Sequence, residues 1–575
     1  MRTQTIAVLT LLLSTTVGAA ADVYPRQPGI AVKGYTFDIT LNDASNDVAV
    51  RATVDLEFVA AGVTTVELDL CQLAAAPRPA RTPAGLGDPC AEPRARNGRP
   101  APSGGKGMTV TAVTSAGGVL RFGHERDRVR VTLPRVFAVG DRFAFAVEYH
   151  GIPATGLLIA DNKYGDRSFV SNSWPDKARN HLASIDHPSV KAPVTTIVTA
   201  PRHYQVVSNG LMTQEADLPG NLRRTTWKQT VPISTWLMSL AVAPYAVDYF
   251  GDYHGVQLSS WVYPQERDAG YSAFSAHTRS ILEFFSDRIG PYSYEKLAHI
   301  QANGVGGGME LASSIFYGYG ENGPSRQLIA HEMAHQWFGD AVTEADWDDV
   351  WLSEGFATYF ALLYTEFTDG RDAFLDGVRK SKTQALEYAI ANPGSTIIHD
   401  NLADIGSVID NGAQIYQGGA QVLHNIRGVI GTDAFWAGIR AYHRRYRDST
   451  ATTADLQRAF EEACAAATKC SAEGRDLSWL FKQLLAGGGA LQVEATWRYD
   501  AAAKQLQLTM TQAQATGMYR MPIEVQVTTA GGASTHVVQL TGSTQAFTIP
   551  SEAEPTGVEL DPNAWVFMRS SIAAR

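Results

Sequence analysis

The chain has 575 residues, of which 45% are hydrophobic and 18% are charged, so it is globular and too long for a single core. Its formal net charge is −10 and it has no long basic run, which argues against nucleic acid as a partner. A length of this order predicts about three domains.

The first residues have the pattern of a secretory signal peptide, which we predict over residues 1–21. Arg2 supplies the positive start, residues 6–17 are apolar apart from Ser and Thr, and small residues precede Asp22. A membrane anchor is the alternative, but this apolar run is shorter than the ~20 residues that span a bilayer. We therefore predict an exported protein, periplasmic or extracellular, without stable membrane insertion.

The four cysteines suit an oxidising compartment. Cys71 and Cys90 are close in sequence, and so are Cys464 and Cys470. We predict the two local disulfides 71–90 and 464–470, although other pairings stay open. A cysteine zinc site is disfavoured because neither pair has CxxC spacing or nearby histidines.

The hydrophobic periodicity divides the rest of the chain into three parts. Residues 22–249 contain short alternating strands and predict an N-terminal β-sheet domain. Residues 250–488 contain helical patterns and a glycine-rich stretch at 304–310, and they predict a mixed α/β domain. Strands return in residues 489–575, which predict a small C-terminal β-sandwich. The fold class is therefore multidomain α+β. Residues 77–107 are rich in Pro, Arg and Gly and predict an exposed loop.

The segment His331-Glu-Met-Ala-His335 predicts a metal site. Two histidines four residues apart lie on one face of a helix, and their nitrogens suit zinc. Glu332 follows the first histidine and is placed to reach a metal-bound water without being a ligand. Chance is the alternative, with the two histidines on the surface of an amphipathic helix.

Glu354 is the predicted third ligand. A catalytic zinc site needs three protein ligands and one open position. Glu354 lies in Trp351-Leu-Ser-Glu-Gly-Phe-Ala, 19 residues after His335, which leaves room for a loop and a returning second helix. A hydrolytic site also needs a donor for the oxyanion, and spacing does not choose among Tyr, His and Arg. The same reasoning leaves Glu310 open, since a carboxylate after a glycine run also suits a surface turn.

These motifs resemble the zinc aminopeptidases of the gluzincin clan, the group of aminopeptidase N, in a short form without the C-terminal helical domain. The resemblance runs from about residue 34 to the end of the sequence. It rests on ordered segments that begin at Ala178, Ser208, Gly307, His331, Trp351, Tyr416, Gly431 and Ala451.

The resemblance implies a thermolysin-like catalytic domain, one zinc ion per chain and peptide substrates. Glu332 would be the general base and Tyr416 the oxyanion donor. Glu310 would bind the α-amino group of the substrate. The resemblance implies that the neighbouring substrate-binding residues are Gly307, Gly308, Met309 and Trp174.

Three positions depart from the family pattern. Leu311 stands where the family usually has Asn, Trp174 where it has Glu or Gln, and Gln417 where it commonly has Lys. The first two replace residues that hold the N-terminal part of the substrate. The short form also predicts a more open cleft.

The sequence allows four functions. The sequence favours an exported zinc aminopeptidase. The alternatives are a zinc peptidase of the same fold with altered specificity, such as an endopeptidase or one for modified peptides, and a non-catalytic peptide-binding relative. Hydrolysis of a non-peptide substrate such as an epoxide has no residue in its favour.

Overall fold

The computed structural model describes residues 22–73, 87–91, 105–318, 323–399, 402, 412–468 and 470–575. The predicted signal peptide and most of the predicted loop at 77–107 lie outside the described residues. Among the helices of the described ranges, none combines the length and the apolar character needed to cross a bilayer.

The first part of the described chain is built from strands. They are β1 (Ile30–Thr40), β2 (Val48–Phe58), β3 (Thr65–Asp69), β4 (Gly107–Ser115), β5 (Gly118–Val119), β6 (Phe122–Glu125), β7 (Arg128–Thr132), β8 (Arg142–Ile152), β9 (Leu157–Asp161), β10 (Arg167–Ser171), β11 (Lys191–Pro201), β12 (Gln205–Ser208), β13 (Leu211–Leu218), β14 (Leu222–Ser234) and β15 (Leu240–Ala243).

These strands form an eight-stranded sheet in the order β13-β14-β11-β1-β2-β8-β4-β5, together with the smaller sheets β12-β15-β10-β9 and β3-β7-β6. Along β2 the residues alternate between buried and partly exposed or exposed, as expected for a sheet with one face on the core. Short 3₁₀ turns lie between β10 and β11, at Ala178–Asn180, and between β14 and β15, at Thr235–Leu237.

The middle part adds a mixed sheet and the main helices. Its strands are β16 (Ala246–Tyr253), β17 (Val256–Val262), β18 (Lys296–Gln301), β19 (Gly308–Met309), β20 (Ser314–Tyr317), β21 (Val342–Glu344) and β22 (Ser449–Ala451). The sheet order is β16-β17-β18-β20-β19, with β17, β18 and β20 parallel and β19 on the edge. The edge strand β19 borders a large cleft.

The helices are α1 (Arg267–Arg288), α2 (Arg326–His335), α3 (Trp351–Asp369), α4 (Arg371–Ala391), α5 (Gly419–Ile430), α6 (Thr432–Tyr446), α7 (Thr453–Ala466) and α8 (Ser478–Phe481). Helices α2 and α3 are neighbours, and α3 also packs against α4 and α5. π-helical turns cover Gln414–Gly418 and Lys482–Ala486, and 3₁₀ turns cover Pro264–Glu266, Trp347–Asp349 and Glu473–Arg475.

The last part returns to strands and forms two sheets. The strands are β23 (Leu491–Asp500), β24 (Gln505–Gln512), β25 (Met521–Thr529), β26 (Gly532–Leu540), β27 (Thr544–Pro550), β28 (Gly557–Leu560) and β29 (Met568–Ala574). The sheet orders are β27-β24-β23-β29 and β26-β25-β28. The multidomain α+β class is thus confirmed, while the boundaries at 249 and 488 stay predictions.

Both predicted disulfides are present. Cys71 is bonded to Cys90 and Cys464 to Cys470, with Cα–Cα distances of 5.4 and 5.3 Å. Each bond closes a short stretch of chain, which restricts the unfolded state.

A contact between two glycines brings helix α3 close to the start of α5. A Cβ atom at Gly355 would lie 2.8 Å from the Cα of Gly419, and one at Gly419 would lie 2.9 Å from the Cα of Gly355. A larger residue at either position would therefore push the backbone of one helix away from the other. The π-helical turn that carries Tyr416 directly precedes Gly419, so this contact sets the position of Tyr416 relative to α3.

Glu344, the last residue of β21, has a buried carboxylate with no hydrogen-bond partner for either oxygen among the described residues. Burial, reinforced by the carboxylates of Glu310 and Glu354, raises the pKa of Glu344 to about 8 from an ordinary value of 4.5. The folded state therefore binds this proton more tightly than the unfolded state does. The resulting penalty is absent below pH 4.5, grows as the pH rises, and is complete above about pH 8.

We expect Glu344→Met to stabilise the protein at pH 8 by on the order of 1–3 kcal/mol, because it removes a buried polar group without partners. Denaturant unfolding of both proteins at pH 5 and pH 8 checks this. The gain should be smaller at pH 5, and an equal gain at both values would contradict the role of ionisation.

Candidate metal centre

Two imidazoles project from one face of α2. The helix begins at Arg326, and the Oγ of Ser325 accepts a hydrogen bond of 3.1 Å from the backbone N–H of Leu328, which satisfies an N–H that the helix leaves unpaired. His331 and His335 follow one turn apart, as their spacing predicts.

The three predicted ligands converge on one point. The Nε2 atoms of His331 and His335 are 3.2 Å apart. Oε2 of Glu354, on the first turn of α3, lies 3.5 Å from the former and 3.2 Å from the latter. Zinc bonds of about 2.0–2.1 Å in a tetrahedral arrangement place two ligand atoms about 3.3 Å apart. The triangle of donors therefore has the dimensions of a zinc site.

The charges around this triangle also fit a divalent cation. Oε2 of Glu354 is buried and has no hydrogen-bond partner among the described residues, although it faces both imidazoles. Burial alone lowers the pKa of His335, but the carboxylates of Glu310 and Glu354 outweigh it and raise that pKa well above its usual value. A cation at the centre supplies the positive charge that these carboxylates otherwise draw from a proton.

The imidazole of His335 is oriented by groups behind it. Its Nδ1 lies 3.0 Å from Oγ of Ser353 and 3.3 Å from the carbonyl oxygen of Phe338. Donation from Nδ1–H to either oxygen leaves the lone pair on Nε2, which is the atom that faces Glu354 and His331. Ser353 was not singled out from the sequence, although it directly precedes the glutamate ligand.

Glu332 points from α2 toward the edge strand β19. Its carboxylate occupies the space that a Cβ atom at Gly308 would need, so a larger residue at that position would displace the Glu332 side chain. The pKa of Glu332 is raised well above its usual value, mainly by burial and next by the negative charge of Glu310. A carboxylate with a raised pKa is better matched to proton transfer near neutral pH.

Glu310 is buried, with 3% of its surface exposed, and its Oε1 has no hydrogen-bond partner among the described residues. The donor atoms of Glu310, Glu332 and His335 all lie within 4.8 Å of one another. Burial raises the pKa of Glu310 to about 7. The charge of His335 acts to lower this pKa, and the charge of Glu354 acts to raise it further. This carboxylate is poised to accept a hydrogen bond from a cationic group in the cleft.

Gln336, the residue after the second histidine, fixes the backbone at Glu310. Its Nε2 donates to the carbonyl of Glu310 at 2.9 Å and to Oδ2 of Asp340 at 2.7 Å, while its Oε1 accepts from the N–H of Ser313 at 2.9 Å. Sequence reasoning missed this residue, because its partner lies 26 positions away and no local spacing links them.

Tyr416 approaches the site from the π-helical turn before α5. Its hydroxyl donates a hydrogen bond of 2.5 Å to Oε1 of Glu354, the oxygen that does not face the histidines. The pKa of Tyr416 is raised well above its usual value, mainly by burial and next by the negative charge of Glu354. The phenol therefore stays protonated and remains a donor throughout the neutral range.

All the predicted site residues line one cleft of about 950 Å³. The members of this set are Trp174, Gly307, Gly308, Met309, Glu310, His331, Glu332, His335, Glu354 and Tyr416. Gln417 also lines the cleft, whereas the side chain of Leu311 is wholly buried and is not among the lining residues. Leu311 and Trp174 stand where the family usually has residues that hold the substrate. Of these two, only Trp174 changes the lining of the cleft.

Residues from the N-terminal part complete the wall beside Trp174. Asn172 and Lys177 line the cleft next to it. The Trp174 ring packs edge-on against the ring of buried Trp347, with centroids 6.4 Å apart. The sequence held no signal for Asn172 and Lys177, because their approach to the metal centre depends on how the first sheets pack on the catalytic part.

Comparison with known families matches two regions of this chain. The family model "Peptidase family M1 domain" matches residues 275–483, and "Peptidase M1 N-terminal domain" matches residues 119–237. Together the matches span more than half of the chain, and the first includes every predicted metal ligand.

Among curated proteins, the chain is similar to glutamyl aminopeptidase of Bos taurus, with 30% identity over 308 residues, and to that of Sus scrofa, with 28% identity over 306 residues. Each match covers 50% of this chain and 32% of the relative, so the chain spans about a third of the length of these relatives. Among solved structures it is similar to an M1 zinc metallopeptidase from Deinococcus radiodurans. That match has 25% identity and a TM-score of 0.61, and it covers 76% of this chain and 90% of that one.

Proposed function

The chain belongs to peptidase family M1, and from that membership we propose that it is an exported zinc aminopeptidase that removes N-terminal residues from peptides. One observation carries the proposal. A triangle of metal-ligand atoms and the carboxylate of Glu310, whose Oε1 has no hydrogen-bond partner among the described residues, lie in the same cleft, within reach of one short peptide segment. Export rests on the predicted signal peptide and suits the two disulfides.

Zinc is the metal we propose, one ion per chain, held by His331, His335 and Glu354. When bound, it lowers the pKa of a water molecule and polarises the carbonyl of the scissile bond. The protein adds three functions of its own around that centre: an anchor for the substrate amine, a base and an oxyanion donor.

Glu310 binds the α-ammonium of the substrate by a charge-assisted hydrogen bond. Because Glu310 lies beside the ligand His335, with 3.9 Å between Oε1 and Nδ1, an anchored amine leaves the first peptide bond at the metal centre. Glu332 accepts a proton from the attacking water and passes it to the leaving amine.

Tyr416 donates a hydrogen bond to the oxygen of the tetrahedral intermediate. We expect Tyr416→Phe to lower kcat by about 10²–10³-fold, the usual scale for one oxyanion donor, with little change in KM. Steady-state kinetics on a dipeptide amide, together with the zinc content of the variant, checks this. A variant with unchanged kcat would assign the hydroxyl only to the support of Glu354.

Trp174 favours a second candidate, a peptidase of the same fold with altered specificity. It lines the cleft where the family usually has a polar residue that helps to hold the N-terminal part of the substrate. In that case the enzyme would accept internal bonds or modified N-termini. Both candidates use the same metal ligands and the same base. A substrate with a blocked N-terminus therefore distinguishes them.

The test is the cleavage pattern of the zinc-loaded protein on a peptide library, free and N-acetylated. We expect sequential loss of N-terminal residues from free peptides and no cleavage of acetylated ones. Equal cleavage of both sets would refute the aminopeptidase assignment and support the second candidate. Zinc content without any turnover would support a non-catalytic binding role.

Glu310→Gln sharpens this test, with Glu344→Gln as the matched control. Both acids are buried, but Glu310 lines the cleft and Glu344 does not. Glu310→Gln should lower kcat/KM for free peptides by roughly 10–100-fold, the value of a hydrogen bond to a charged group. Glu344→Gln should leave it unchanged. Equal losses in both variants would point to structural damage and not to a lost amine anchor.

A further inference from the structure

Asp22, the residue that follows the predicted signal peptide, is held in a buried site. Its backbone nitrogen donates to both carboxylate oxygens of Asp346, each at 3.1 Å. The side chain of Asp22 is fully buried. Residues at the beginning of a domain are usually exposed and poorly ordered unless something holds them, so this position calls for an explanation.

The side chain of Asp22 is also fully engaged. Its Oδ2 lies 2.7 Å from Nε2 of His187, and its Oδ1 accepts from the N–H of Tyr24 at 3.0 Å and faces the guanidinium of Arg26 at 3.4 Å. The Tyr24 ring stacks on the imidazole of His187, with centroids 4.7 Å apart. The pocket therefore recognises both the main chain and the side chain of one residue.

Charge in this pocket is unbalanced when the nitrogen of Asp22 is an amide. Two carboxylates, Asp22 and Asp346, face Arg26, which lies 2.9 Å from Oδ2 of Asp346. Burial lowers the pKa of His187 and outweighs Asp22, whose negative charge and hydrogen bond act to raise it. The imidazole is therefore neutral at neutral pH. Among the described residues, Arg26 is thus the one permanent cation in ion-pair contact with either carboxylate.

An ammonium at the same position would restore the balance. A peptide N–H carries one proton and no net charge, and here that proton is shared between two oxygens. An ammonium carries a positive charge and three protons, so it donates separately to each oxygen of a carboxylate. The equal distances from the nitrogen to the two oxygens of Asp346 suit that arrangement.

We propose that Asp346 is the binding site for the α-ammonium of Asp22, which is created when the bond between Ala21 and Asp22 is hydrolysed during export. The peptidase that removes the leader adds water across this bond, leaving a carboxylate on Ala21 and an amine on Asp22. The amine takes up a proton from solvent. The new terminus then pairs with Asp346.

This terminus supports the metal centre. Asp346 caps the 3₁₀ turn Trp347–Asp349 by accepting from the N–H of Asp348 at 3.1 Å, and that turn leads directly into α3, which carries Glu354. Trp347 of the same turn packs against Trp174 in the cleft wall. Leader removal therefore stabilises the segment that positions the third metal ligand and one wall of the cleft.

The experiment compares two forms of the full mature chain from the same oxidising compartment. One begins at Asp22, as checked by N-terminal sequencing, and the other retains three alanines ahead of it. We expect the extended form to melt about 1–2 °C lower, because it lacks the charged pair. Equal melting temperatures would overturn the proposal, as would a natural terminus at another residue.

Asp346→Asn tests the partner, with Asp348→Asn as the matched control. Asp348 lies in the same turn, but its carboxylate accepts from the backbone N–H of Leu402. Asp346→Asn should lower the melting temperature of the Asp22 form more than that of the extended form, because the contact of Asp346 with Arg26 is lost in both forms and the ammonium pair only in the first. Asp348→Asn should affect both forms alike. Equal effects of Asp346→Asn on both forms would refute the pairing.

A labelling measurement covers the case in which a variant fails to fold. At neutral pH an amine-reactive reagent should modify the α-amine of Asp22 at least about tenfold more slowly in the native protein than in urea, because the ion pair holds it protonated and buried. Equal rates would overturn the proposal. Neither melting nor labelling depends on turnover, so they fail or succeed independently of the proposed peptidase activity.

Discussion

Glu332→Gln should abolish most turnover while the metal stays bound. Glutamine has the same shape as glutamate but accepts no proton at neutral pH, so the water would attack without a base. General acid–base groups contribute about 10²–10⁴-fold, and the proposed mechanism uses Glu332 twice, as base and then as acid. We expect a loss in kcat near the upper end of that range, with KM nearly unchanged.

The measurement is kcat on a free peptide together with zinc content by atomic absorption. Glu344→Gln is again the control, since it makes the same chemical change in a buried acid outside the cleft. A Glu332→Gln protein that retains both zinc and near-native kcat would show that another group removes the proton. Glu332→Ala should behave in the same way, because Glu332 lies outside the triangle of ligands.

His331→Ala should remove zinc and activity together. Its Nε2 is one of the three atoms that lie 3.2–3.5 Å apart, and the two that remain leave a site with too few ligands for tight binding. We expect zinc content to fall toward zero and kcat/KM to fall by about 10³-fold or more at limiting zinc. His331 is partly exposed, so this substitution disturbs the core less than one at His335.

His277→Ala is the matched control, because His277 is also half-buried but lies on α1, away from the cleft. It should retain both zinc and activity. Zinc retained by His331→Ala after dialysis would refute the ligand assignment. Recovery of activity at high added zinc would support it, since weak binding is then overcome by mass action.

The convergence of the three predicted metal ligands was predictable because each depends on local geometry. The spacing of His331 and His335 fixes them on one helix face, and a returning helix is a short step away for Glu354. The predicted parts of the fold followed from periodicity in the same way. Local patterns of this kind survive in the tertiary structure because the buried faces of helices and sheets are what the core needs.

The supporting residues were not predictable from spacing. Tyr416 reaches Glu354 across 62 positions, and family resemblance alone suggested it. Gln336 acts through a contact between the end of α2 and the residue after β19, and Ser353 acts through a contact between α3 and α2. The contact between Asp22 and Asp346 joins residues 324 positions apart. No local pattern encodes such a pair, because the fold itself creates it.

The glycine contact between α3 and α5 has a consequence for how the enzyme moves. With Gly355 against Gly419, the helix that carries Glu354 and the turn that carries Tyr416 are in close contact through their backbones, and we expect them to move together. We therefore expect any opening and closing of the cleft to pivot elsewhere. The entropy lost in ordering the phenol is incurred once, when the chain folds, and not again in each catalytic cycle.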